Sequence, residues 1–99
     1  MRVITHKLEG DQTFSNEEVT LDGMIVGNVT VVKGAALNLN GMVIGNLTVS
    51  GGAVALNGMV NGDLTNNGGD LQVYGTVNGR LQKNAGNTHV DGKAVISKK

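Results

Sequence analysis

A glycine returns along this chain of 99 residues at an almost constant interval, and this period limits the possible folds more than any other feature. The intervals are 18, 17, 17 and 17 residues, for the series Gly23, Gly41, Gly58, Gly75 and Gly92. The neighbouring residues repeat too, since Gly-Met-Ile-Val-Gly-Asn-Val-Thr-Val at 23–31 matches Gly-Met-Val-Ile-Gly-Asn-Leu-Thr-Val at 41–49. A strict internal repeat indicates one structural unit that stacks on itself.

Within one repeat, residues 37–53, apolar and polar residues alternate with period two, which is typical of strands with one buried face. The apolar residues form short runs that are interrupted at Gly41, at Gly45 and at the 50–53 segment. Glycine suits a sharp corner, because an inward side chain there has no room. The sequence therefore predicts an all-β, single-domain parallel β-helix, a solenoid with triangular coils of 17–18 residues.

Equivalent residues of successive turns should lie over one another and form inward columns. One column is Ile4, Leu21, Leu39, Leu56, Val73 and Val90, and another is Leu8, Ile25, Val43, Val60, Val77 and Ala94. A third begins with Phe14, Val31 and Val49 and becomes polar at Asn66 and Lys83. The predicted domain covers 1–99, with about five full turns, a degenerate N-terminal cap turn at 1–22 and a C-terminal partial turn at 92–99. The extra residue of the 18-residue interval is expected at a loose corner near Lys33.

Composition and charge restrict the function of such a solenoid. Sixteen glycines, two aromatic residues and no cysteine leave a core of small aliphatic side chains and no thiolate site. No apolar run is long enough for a membrane span, and the first residues do not resemble a secretory signal, so a cytoplasmic protein is expected. Residues 1–22 carry two basic and five acidic side chains, whereas residues 75–99 carry five basic and one acidic. The two ends of the solenoid should therefore differ in charge.

Little in the chain predicts catalysis, and we expect a protein that is not an enzyme and needs no cofactor. His6 and His89 lie almost five turns apart, and no nucleophile–base pair is visible. Glu17 and Glu18 are adjacent but lack further ligands, so no metal site is predicted. The glycine pairs at 51–52 and 68–69 lack the Lys-Ser/Thr of a phosphate loop. Nucleic-acid binding would need a basic face and stacking aromatics, which are missing.

Two kinds of surface remain as candidates for binding a protein. The second strand of each turn should direct outward a stripe that we call the Met/Ile face, made of Met24, Val26, Met42, Ile44 and Met59. Both ends of a solenoid also leave open strand edges, which invite another chain. The predicted end-to-end interface consists of Ile4, Leu8 and Phe14 at one end and of Val90, Ala94 and Ile96 at the other.

Glycine–aliphatic coils of this length, with Gly-Asn-Leu-Thr-Val at 45–49 and Gly-Asp-Leu-Thr at 62–65, resemble those of the bactofilins, which are bacterial polymer-forming cytoskeletal proteins. The resemblance implies a right-handed helix and a non-enzymatic scaffold that self-associates end to end into nucleotide-independent filaments. The residues leave one alternative open: a soluble module, such as a toxin-neutralising immunity protein, that binds one partner protein through the Met/Ile face. The left-handed hexapeptide helix of acyltransferases is disfavoured, because its six-residue rhythm fails in the later turns.

Overall fold

The computed structural model describes residues 2–98, which form a β-solenoid without a helix. Its strands, in chain order, are β1 (Arg2–Ile4), β2 (Lys7–Glu9), β3 (Gln12–Phe14), β4 (Glu18–Leu21), β5 (Met24–Val26), β6 (Val29–Val31), β7 (Ala36–Leu39), β8 (Met42–Ile44), β9 (Leu47–Val49), β10 (Ala53–Leu56), β11 (Met59–Val60), β12 (Leu64–Val73), β13 (Thr76–Val90) and β14 (Val95–Lys98). The predicted all-β parallel solenoid is confirmed. The first and last residues of the expected domain, 1–99, lie outside the described residues.

Three strands make one turn, and equivalent strands of successive turns pair in parallel, so the solenoid has three faces. Face 1 contains β1, β4, β7 and β10, face 2 contains β2, β5, β8 and β11, and face 3 contains β3, β6 and β9. The long strands continue around corners: β12 passes from face 3 to face 1, and β13 passes through faces 2, 3 and 1. Because β14 pairs with β13 on face 2, the described chain makes five full turns and part of a sixth.

The register follows the sequence period. Leu21 pairs with Leu39, Leu39 with Leu56, and Leu56 with Val73, so these side chains lie over one another as predicted. The single 18-residue interval has its extra residue at the 32–35 corner, as expected, because Val31 pairs with Val49 and Glu18 with Ala36. A tight turn absorbs this residue: the Ala35 N–H donates to the Val32 carbonyl oxygen at 3.1 Å, and Gly34 has a φ of 89°.

Columns of aliphatic side chains fill the interior. All four members of the central column Leu21, Leu39, Leu56 and Val73 are fully buried, as are the members Ile25, Val43, Val60 and Val77 of the column from face 2. Complete burial of one such side chain stabilises the fold by roughly 1.5–3 kcal/mol. The repeated columns therefore replace the bulky aromatic core that this chain lacks.

The corner glycines are required because successive turns approach closely there. A Cβ atom on Gly58 would overlap the carbonyl oxygen of Gly41, and one on Gly75 would overlap that of Gly58. The Met59 N–H donates to the same Gly41 carbonyl at 3.0 Å, which holds the two turns at this separation. The neighbouring corner also needs glycine for its conformation, since Gly45 has a φ of 145°.

Polar ladders bind the outer corners along the axis. The side-chain oxygens of Asp11, Asn28, Asn46 and Asp63 each accept the backbone N–H of the equivalent residue in the next turn, at 2.9–3.0 Å. A second ladder joins the side chains of Asp22, Asn40 and Asn57 at 3.1 Å. These asparagines therefore have the structural role that their spacing predicts, and each ladder supplements the β-pairing of consecutive turns.

The last turn departs from the predicted register. Val77 pairs with Ile96 and not with Ala94, so the prediction that Ala94 ends this column was wrong. Two additional residues form a turn at this corner, in which the Ala94 N–H donates to the Asp91 carbonyl oxygen at 3.0 Å. Gly92 accordingly has no close neighbour at its Cβ position, unlike the repeat glycines before it. The glycine period continues into the last turn in sequence, whereas the tight corner does not.

Candidate interaction surfaces

The N-terminal end of the solenoid is closed by its own side chains. Phe14 and Ile4, which were expected to contribute to an end-to-end interface, are 1% and 3% exposed. The Arg2 guanidinium lies over the Phe14 ring, 5.7 Å from its centroid, and contacts the Glu17 carboxylate at 3.5 Å. Leu8 is partly buried against the same core. The open edges of β1, β2 and β3 are consequently the principal unsatisfied feature of this end.

The C-terminal end is open. Face 3 has no strand beyond residues 81–83, because the described chain ends on face 2. The missing strand leaves a hollow of about 380 Å³ that is lined by Leu81, Lys83, Val90 and Ile96. Val90 is 39% exposed, and Leu81 and Ile96 are partly buried against the core. Three inward columns therefore end at an uncovered apolar floor, which we call the C-terminal hollow.

The predicted interface residues thus fall into two different environments. Val90 and Ile96 line the C-terminal hollow together, whereas Ala94 lies in the turn before β14 and does not line it. Leu81 and Lys83 line the hollow but were not among the predicted interface residues. The signal for them was present in the sequence, since both occupy inward positions of columns that end with the fifth turn.

The charges of the two ends differ as the sequence predicts. The acidic residues Glu9, Asp11 and Glu18 are exposed around the first turn. At the other end, the exposed side chains of Arg80, Lys83 and Lys93 lie near the three corners of the last turns. Within residues 2–98, both ion pairs belong to the first turn, Arg2–Glu17 and Lys7–Glu9, so neither of them involves these three basic side chains.

The Met/Ile face lies on face 2, where its members are aligned in register. Met24 pairs with Met42 and Met42 with Met59, while Val26 pairs with Ile44. All five side chains are partly exposed. The stripe ends at the fourth turn, because Asn61 follows Ile44 in the column and accepts a hydrogen bond from Asn78 at 2.9 Å. This arrangement is a continuous but modest apolar strip.

One polar residue was expected at an inward position, and the structure gives it a full set of partners. Asn66 is completely buried, and its amide nitrogen lies 2.9–3.0 Å from the carbonyl oxygens of Gly69 and Asn87 and from the Thr88 hydroxyl. Its side-chain oxygen accepts the N–H groups of Gly68, at 3.1 Å, and Gly69, at 2.9 Å. Asn66 therefore organises the corner between faces 3 and 1 and ties the fifth turn to the sixth.

The ionisable residues do not assemble into a reaction centre. His6 lies at a corner of the first turn, whereas His89 lies on face 1 of the sixth, beside Tyr74, with ring centroids 6.4 Å apart. Among the described residues, no group of three histidine, aspartate or glutamate side chains could hold a metal ion. Residues 2–98 also contain no helix of the length and hydropathy needed to cross a bilayer.

Comparison of the chain with family models, with curated proteins and with solved structures gave no match. The functional argument therefore depends on the geometry of the two ends and of the Met/Ile face.

Proposed function

We propose that this protein is a non-enzymatic structural scaffold of the bactofilin kind, which self-associates end to end into filaments without a nucleotide. The observation that carries the proposal is the C-terminal hollow, where the core columns of Leu81, Val90 and Ile96 end without a cover. A solenoid with an uncapped end gains stability when another chain continues its sheets and buries the exposed columns.

The strand edges support the same proposal. At the N-terminal end the outer edges of β1, β2 and β3 have no partner strand among the described residues, and at the C-terminal end the same holds for residues 87–90 and for β14. Backbone groups at such edges can bond to a further strand, as they do between turns inside the molecule. A junction between copies would therefore repeat the pairing that already holds each copy together.

The experiment is a concentration series by sedimentation velocity, combined with negative-stain electron microscopy, with and without added ATP or GTP. We expect monomers at low concentration and filaments at micromolar concentration, unchanged by nucleotide. A protein that stays monomeric up to about 100 μM, well above the range of a specific micromolar contact, would refute self-assembly.

The Met/Ile face supports a second candidate, a soluble module that binds one partner protein, such as a toxin-neutralising immunity protein. Its supporting observation is the in-register alignment of Met24, Met42 and Met59 on face 2. Methionine side chains adapt to irregular partner surfaces. This candidate predicts a dispersed protein whose binding to its partner depends on face 2 and does not depend on either end.

A further inference from the structure

We infer that the junction between copies joins unlike ends, with the N-terminal end of one copy covering the C-terminal hollow of the next, so that the filament is polar. This inference rests on the proposed end-to-end assembly and specifies the partner surface for each end. The occupant of the C-terminal hollow is thus the first turn of a second copy of this chain.

The first argument is the difference in closure between the ends. At the N-terminal end Phe14 and Ile4 are already buried, so two N-terminal ends placed together would bury little additional core surface. The C-terminal hollow, in contrast, exposes the ends of three core columns and needs a cover. Stacking of unlike ends places a well-packed, closed turn over the open one, as each turn covers the turn before it inside the molecule.

The second argument is charge. A junction of two N-terminal ends would bring the acidic side chains of the first turn together, and a junction of two C-terminal ends would do the same for Arg80, Lys83 and Lys93. At the few ångströms of a junction, such charges lie well within the screening length of about 8 Å at physiological ionic strength. Unlike ends replace both repulsions by attraction, which favours one orientation over the other two.

The columns supply a specific match when the corners of two copies are aligned. Ile4 and Val90 belong to one inward column, so the next copy's Ile4 falls over Val90. Leu8 falls over Ile96 in the same way, since both belong to the column of Val77. On the outside, Asp11 is the first member of the corner ladder that ends at Arg80, and these two opposite charges meet at the junction.

The backbone at both ends is directed for pairing. The Ile4 carbonyl oxygen accepts the N–H groups of Asp22 and Gly23 in the second turn, so the alternation of a strand directs the N–H of Val3 to the open edge. Asp91 donates its N–H back to Val73, so the N–H of Val90 likewise points to the opposite open edge. Val3 is 53% exposed and Val90 39%, so both positions tolerate substitution better than the core does.

The size of the ends sets the expected strength. The smaller extents of the molecule are 23 and 20 Å, so one junction buries roughly 800 Å² in total, at the low end for a specific interface. Assembly should therefore be reversible and dependent on concentration, which makes variants with one blocked end measurable as small species.

The test uses two full-length variants, Val3→Pro to block the N-terminal edge and Val90→Pro to block the C-terminal edge, because proline removes the N–H that each edge offers. A second pair, Val3→Lys and Val90→Asp, places on each end the charge that repels its expected partner. Circular dichroism and thermal melts establish which variants keep the fold. Each folded variant is then analysed by sedimentation velocity alone and in an equimolar mixture with the variant blocked at the other end.

If unlike ends join, each variant alone is monomeric, and the mixture forms dimers but nothing larger, because only one functional N-terminal end and one functional C-terminal end remain per pair. If like ends join, each variant alone forms dimers through its intact end and mixing adds no new species. That result would overturn the polar junction and leave end-to-end assembly standing. Wild-type protein that remains monomeric would overturn both proposals.

Discussion

Replacement of Asn66 by alanine should cost more stability than any other single substitution of a polar side chain in this protein. Asn66 is fully buried and makes contacts of 2.9–3.1 Å with five backbone or hydroxyl groups at the corner between faces 3 and 1. Removal of its amide leaves the buried Gly69 N–H and carbonyl without this partner, and each such loss costs about 1–3 kcal/mol. We expect a total of about 3 kcal/mol, large for a domain of this size.

The matched control is Asn67→Ala. Asn67 is the adjacent residue and of the same type, but it is exposed, and its side-chain oxygen accepts one hydrogen bond, from the Asn84 amide at 2.8 Å. An exposed contact of this kind should change stability by no more than about 0.5 kcal/mol.

Urea unfolding monitored by circular dichroism measures both variants, and thermal melts give a second estimate. For about 3 kcal/mol, the Tm of a domain with about 100 residues should fall by roughly 12–24 °C. Hydrogen exchange should locate the loss in β12 and β13, which Asn66 connects. If Asn66→Ala costs less than about 1 kcal/mol, or no more than Asn67→Ala, the account of Asn66 as an organising residue is incorrect.

Two further substitutions test the corner and the lateral face. Gly58→Ala should lose about 2–3 kcal/mol in urea unfolding, because its Cβ would overlap the Gly41 carbonyl oxygen, whereas Gly92→Ala should be neutral within about 0.5 kcal/mol; equal effects would contradict the steric argument. Met42→Glu should leave filaments intact if assembly uses the ends, since Met42 lies on face 2 and far from both end turns. Loss of filaments in Met42→Glu, with the fold retained by circular dichroism, would transfer the interface to the Met/Ile face.

The period of the chain was sufficient to predict the vertical register. Equivalent residues 17 or 18 apart pair from Ile4–Leu21 to Val73–Val90, and the one irregular interval lies at the loose corner near Lys33. This success has a simple cause, because a strand alternates with period two and a solenoid repeats one turn. A residue's place in the repeat then determines both its face and its neighbours above and below.

The prediction failed where the repeat itself ends. Ala94 keeps the sequence interval from Val77, yet Ile96 takes the place in the column, because the turn at Asp91 holds two more residues than the earlier corners. No turn lies beyond this corner to impose the spacing, so the local preference of the Asp91 and Gly92 backbone decides its size.

The sequence by itself determined the solenoid, its inward columns and the opposite charges of its ends, because all three depend on composition and on a repeated interval along the chain. Only the tertiary structure decided which end is closed. Phe14 and Ile96 both occupy the last inward positions of their columns, but Phe14 is covered by the side chains of its own turn, whereas Ile96 borders a hollow. That difference arises from the face on which the chain stops, and from how side chains of distant residues pack around the gap.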